Sequence, residues 1–203
     1  MNLRSPAPIL ATILVWVATS ATAAEPSAEG SRMAAACAAC HGPGGVSANP
    51  EWPKLAGQHR DYLLAQMIAI KDGTRAAPLM FGQLNAFDEG QMGEIADYFA
   101  AEAPSIGEAD PLLVGAGERL YRGGNAETGV PACMACHGPE GLGNGPAGWP
   151  ALGGQHAAYV MAQLRAYRSG DRSTDLNQMM RNVAARMSDS EIEAVASYVQ
   201  GLE

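Results

Sequence analysis

The strongest chemistry in this sequence lies in four cysteines and the two histidines beside them. Cys37, Cys40 and His41 form one CxxCH segment, and Cys133, Cys136 and His137 form another; no other cysteine occurs in the 203-residue chain. Two thiols on one helical turn can form thioethers with the two vinyl groups of a haem, and the adjoining imidazole then faces the iron as an axial ligand. Two covalently attached c-type haems are therefore expected. Other uses of the same residues fit less well. A thioredoxin-like dithiol needs a βαβ setting, and the chain reads as helical. A zinc site of four cysteines would join residues 96 apart and leave both histidines unexplained. A disulfide across a CxxC loop is strained.

Each iron needs a second axial ligand, for which methionine and histidine are the candidates. The chain has ten methionines, and its internal repeat discriminates among them. Met80 stands seven residues before Phe87 and Met180 seven before Met187, so the two are equivalent and are the expected iron ligands. Met179 is the rival in the second half, although Leu79 occupies its place in the first. Met67, Met92, Met161 and Met187 fall at helical spacing on apolar faces and read as core. His59 and His156 also repeat, which leaves bis-histidine ligation as the alternative; a polar residue at a helix start is the plainer reading.

The elements that must position these residues come in two copies. CAACHGPGG at 37–45 is followed by WPKLAGQH at 52–59, and CMACHGPEG at 133–141 by WPALGGQH at 149–156. Cys37 and Cys133 are 96 residues apart, Trp52 and Trp149 are 97, and Tyr98 and Tyr198 are 100. A duplicated unit of about 100 residues with insertions in surface loops accounts for this drift. Helices are expected at 60–72 and 157–169, ended by Gly73 and Gly170, and at 112–121. Asp88 with Gln91, and Ser188 with Glu191, open two further helices; their apolar stripes run through Met92, Ile95, Ala96 and Phe99, and through Ile192, Val195, Ala196 and Val199. No alternating segment demands a strand. Residues 102–111 hold Pro104, Gly107 and Pro111 and read as a short linker, so the two units should keep a fixed orientation. Near each CxxCH, a carbonyl of the Trp-Pro loop at Pro53 or Pro150 could fix the tautomer of His41 or His137. Arg75 and Arg172 repeat as well, and can pair with haem propionates or lie exposed.

Composition sets outer limits. Aromatic residues make up 6% of the chain, thin for cores built from side chains alone, and the formal charge of −8 argues against nucleic acid as a partner. The first 24 residues, with Arg4, an apolar run at 9–18 and small residues at 21–24, read as a secretory signal peptide. That run is short of the ~20 residues needed to span a bilayer.

The ordered series CxxCHG twice, PxLxGQ at Pro53 and Pro150, GEADP, GERLYRGG and MMRNVAARMSDSEIEAVASYVQGL resembles the dihaem cytochrome c4 family. The resemblance spans residues 29–203. It implies an all-α fold of two tandem class I cytochrome c domains, each wrapped around one covalently bound haem, divided as 1–24 signal peptide, 25–105 first domain and 106–203 second domain. It further implies that Cys37, Cys40, Cys133 and Cys136 attach the haems, that His41, Met80, His137 and Met180 ligate the irons, and that Pro53 and Pro150 orient the histidines. Gly117 and Tyr121 match the family's pair on an N-terminal helix; the first half departs from this, with Gly30 followed by Ala34. The implied role is a periplasmic one-electron carrier without a small-molecule substrate, monomeric, loosely associated with the membrane at most, and serving membrane-bound or periplasmic redox proteins, with a terminal oxidase as the expected destination. An electron-accepting subunit of a periplasmic dehydrogenase is the alternative. A dihaem peroxidase, which needs one iron able to open, is a third.

Overall fold

The computed structural model describes residues 26–203; the expected signal peptide lies outside the described residues. In the first half, α1 (Ala28–Ala34) leads into the CxxCH turn, which ends in α2 (Ala38–His41), and α3 (Arg60–Lys71) and α4 (Glu89–Ala101) follow. The second half repeats the order with α5 (Val114–Gly123), α6 (Met134–His137), α7 (Ala157–Ser169), α8 (Met179–Ala184) and α9 (Asp189–Gln200). Local chemistry sets the ends. Ser27 caps α1 by accepting the Gly30 N–H, and both expected capping boxes form, Asp88 with Gln91 on α4 and Ser188 with Glu191 on α9. Gly170 closes α7 at φ 86°, a backbone conformation that suits glycine. Among the described residues there are only two isolated β-bridges, Asn125 with Val130 and Asn144 with Trp149.

Each half is built around a helix crossing. α1 packs on α4, and α5 on α9; α3 and α7 then cover α4 and α9. At the second crossing Gly117 has no room for a side chain, since a Cβ there would lie 2.2 Å from the Ala194 carbonyl oxygen and 2.5 Å from the Tyr198 Cβ. Gly30 plays the same part in the first half, where a Cβ would meet the Glu94 carbonyl oxygen at 2.6 Å. The N-terminal helix of the first half therefore forms its crossing despite lacking an aromatic partner for the glycine. Ala34, 2% exposed, stands where the second half has Tyr121, whose hydroxyl donates to the Gly138 carbonyl at 2.7 Å and ties α5 to the end of α6. The first core gathers Met33, Ala34, Leu63, Ile95, Ala96 and Phe99. The second is larger and includes Leu120, Tyr121, Val160, Leu164, Met187 and Ile192.

The halves meet through bonds that recur in both directions. Gln58 donates to the Ala151 carbonyl and accepts the Ala151 N–H, each at 2.9 Å. Gln155 does the same with Lys54 in the opposite half, again at 2.9 Å for both bonds. His59 donates from Nε2 to the Leu142 carbonyl at 2.8 Å, and His156 from Nε2 to the Ser47 carbonyl at 2.9 Å. Lys54 adds bonds from Nζ to the carbonyls of Ser105 and Gly154. The linker itself is pinned to α9, with Gly107 N–H on the Gln200 carbonyl and Asp110 N–H on Ser197 Oγ. A cooperative set of this kind fixes the relative orientation expected from the short linker.

Candidate haem-attachment sites

His41 and His137 end α2 and α6, the short helices on which the cysteine pairs sit, and both imidazoles are 7% exposed. His41 Nδ1 lies 2.9 Å from the Pro53 carbonyl oxygen and His137 Nδ1 2.9 Å from that of Pro150. A carbonyl can only accept, so Nδ1 carries the proton in each ring and Nε2 is left with its lone pair, the form a metal ligand needs. Burial pushes both imidazoles below their ordinary pKa, opposed by these bonds, and keeps them neutral.

None of the four cysteines is joined in a disulfide; Cys37 and Cys133 are half-buried, and Cys40 and Cys136 are exposed. Burial raises the Cys37 pKa and pushes that of Cys133 up to about 11, so neither offers a thiolate at neutral pH. Among the described residues no group of three or more His, Cys, Asp or Glu side chains gathers to hold a metal ion. The two pairs do not form a shared four-cysteine centre.

Met67, Met92, Met161 and Met187 lie in or against the cores, as their helical spacing implies. Met92 and Met187 are 3% and 5% exposed in the cores, with Met67 and Met161 packed against them. Met180 is half-buried and packs against the second core, as Cys133 does. Met80 is half-buried on a 3-10 turn, Pro78–Met80, outside the first core cluster. His59 and His156, the alternative ligands, have their Nε2 atoms engaged by carbonyls of the opposite half.

Two further repeated residues lie close together where the halves meet. Arg75 donates to Gln66 of its own half and to Tyr159 and Gln163 of the other. Arg172 mirrors this with Gln163, Tyr62 and Gln66, and its guanidinium lies 4.6 Å from the centre of the Tyr167 ring. They are 9% and 5% exposed, their hydrogen-bond partners are all neutral, and Arg172 Nε is buried without a partner. Buried cations are normally paired. Two buried guanidinium groups, one with an unfilled donor, fit a group that brings carboxylates into the protein, as a haem does through its propionates. The immobilised imidazoles and cysteine pairs fit the same group.

A helical scaffold that twice sets a fixed imidazole beside a thiol pair is the build of a tandem c-type cytochrome. A family model described as cytochrome c matches residues 27–105 and again 115–203. Cytochrome c4 of Azotobacter vinelandii is 48% identical over 95% of this chain and 98% of its own length. The crystal structure of reduced recombinant cytochrome c4 from Pseudomonas stutzeri superimposes with a TM-score of 0.84 at 46% identity, covering 86% of this chain and 97% of that one. A protein named thiosulfate dehydrogenase electron acceptor, from Thiomonas intermedia, is 41% identical over 92% of this chain and 85% of its own. The chain belongs to the cytochrome c4 family. It is a dihaem electron-transfer protein, not an enzyme, and works with redox partners.

Proposed function

We propose that the protein is a periplasmic shuttle that accepts single electrons from one redox protein and delivers them to another, with a terminal oxidase as the destination. Cys37 and Cys40 hold one haem and Cys133 and Cys136 the other; His41 with Met80, and His137 with Met180, are the axial ligands. The observation that carries the site assignment is the pair of 2.9 Å bonds from His41 and His137 to Pro53 and Pro150, which presents the same nitrogen of each ring for ligation. Packing of Met180 against the second core, with Cys133 beside the same cluster, supports it over Met179. Each haem, when bound, supplies an iron that gains and loses one electron. The protein's own residues would hold that iron through a neutral imidazole and a thioether, Arg75 and Arg172 would receive the propionates, and the bonds between the halves fix the two units against each other. A division at 105/106 is supported by the bonds that tie Gly107 and Asp110 to α9. Among the described residues no helix is long and apolar enough to cross a membrane, and we propose that the leader at 1–24 directs export of a monomer.

The test of attachment is intact mass of the processed holoprotein, expected to exceed the polypeptide by two haems. Replacing Cys133 and Cys136 with alanine should remove one of them. The likeness to a thiosulfate dehydrogenase electron acceptor favours a second reading, a subunit held by a dehydrogenase. Purification from the native host separates the two: a free monomer supports the shuttle, and a stoichiometric enzyme partner supports the subunit.

A further inference from the structure

The halves differ sharply where their sulfur ligands stand. Arg75 and Arg172 are 97 residues apart and Met80 and Met180 are 100 apart, so the second half has three extra residues between these points. The added length is clasped. The Asp175 side chain, 3% exposed, accepts the Arg181 main-chain N–H at 3.0 Å and Arg181 Nε at 2.7 Å, and Arg181 Nη2 reaches the Ser173 carbonyl at 3.4 Å. Inside the ring so closed lie Asn177 at φ 52° and Gln178 at φ 59°, left-handed conformations that a glutamine adopts only under constraint. Gln178 occupies the N-cap of α8 without making a side-chain bond, and Asp175 takes the N–H of the third helical residue in its stead. Met180 is the residue immediately before the arginine that Asp175 grips.

The first half has no such clasp. Met80 is held by main-chain turns, its own N–H on the Ala77 carbonyl and that of Phe81 on Pro78. Phe81, 88% exposed, stands in the place of Arg181, and among the described residues no side chain hydrogen-bonds into 76–86.

We propose that Asp175, acting through Arg181, is a positioning residue for Met180, so that the two irons hold their sulfurs unequally and an added ligand displaces Met80 well before Met180. This rests on Met80 and Met180 being the axial ligands. In the exchange the iron–sulfur bond breaks and an iron–nitrogen bond to the added ligand forms, with no change of oxidation state.

The test is a titration of the oxidised holoprotein with imidazole, following by NMR the iron-shifted methyl resonance of each ligand methionine. Two steps are expected, separated by about tenfold or more in imidazole concentration, as suits the loss of one charge-assisted hydrogen bond, with Met80 leaving first. Asp175→Asn should bring the second step down toward the first while leaving the first in place. Asp175→Glu, which retains a carboxylate, should recover part of the gap. Coincident steps in the unaltered protein, or an Asp175→Asn variant whose second step stays put or moves together with the first, overturn the proposal. If Asp175→Asn does not accumulate, Arg181→Lys keeps the main-chain bond but loses the Nε bond, and must narrow the gap. Failure of the ligand assignment looks different: the untreated protein then lacks two iron-shifted methionine methyls.

Discussion

Arg172 condenses the electrostatics of the protein into one side chain. It is buried, mirrored by Arg75, and bonded only to neutral partners. A fixed positive charge beside a redox centre favours the reduced state, because oxidation adds a further positive charge. Arg172→Met is therefore expected to lower the reduction potential of a neighbouring haem, read by spectroelectrochemical titration. Arg172→Lys should restore the charge without the fork that serves several acceptors at once. Glu191 offers a pH-dependent counterpart. Its carboxylate accepts from Asn125 Nδ2 and the Ser188 N–H, each at 2.8 Å, and these bonds, that of Asn125 foremost, hold its pKa below the usual carboxylate value. The stability it contributes is present above the unfolded carboxyl pKa of about 4.3 and is lost as pH falls through the lower folded value. Glu191→Gln keeps the capping box but removes the charge from the helix N-terminus, and should cost about 0.3–1 kcal/mol at neutral pH; the deficit should shrink in acid, as urea unfolding at both pH values can measure. At this scale the sequence was explicit about residues with one dominant chemistry. CxxCH, the capping boxes and the repeated prolines could be read directly. The Asp175–Arg181 clasp could not, because an insertion has no twin to compare with.

The helix crossings are the elements that carry stability. α5 and α9 approach so closely at Gly117 that a methyl group there would overlap the Ala194 carbonyl and Tyr198. Gly117→Ala should force the helices apart and destabilise the second half by about 1–3 kcal/mol or more, visible as a lower denaturant midpoint for that half. The twin at Gly30 makes the same demand of α1 and α4. Legibility at this scale followed local signals. Periodicity and caps marked α3 and α7 almost to the residue and the starts of α4 and α9, whereas α1 carries only two turns and lacks the aromatic that marks α5. What identifies α1 as the counterpart of α5 is where its backbone meets α4, a tertiary fact with no local trace.

For the molecule as a whole, the contact between the halves was the least legible part. Gln58, His59, Gln155 and His156 repeat in the sequence, the histidines reading there as alternative ligands or helix-start residues, and each grips main chain of the opposite half. Residues repeated in a duplication without a ligand or a cap to explain them are the signal that was available. Replacing Gln58 and Gln155 together with leucine leaves the N–H groups of Ala151 and Lys54 unpaired, at about 1–3 kcal/mol for each buried orphan. The expected outcome is separation of one unfolding transition into two by calorimetry. The interface also has an ancestry written into it. Because Lys54 and Ala151 occupy equivalent positions and receive the same bonds, the contact is isologous, the kind that joins two identical subunits about a twofold axis. A lone half carries both the grip and the thing gripped, so fusing two copies of a self-pairing ancestor would yield this arrangement without inventing a new surface.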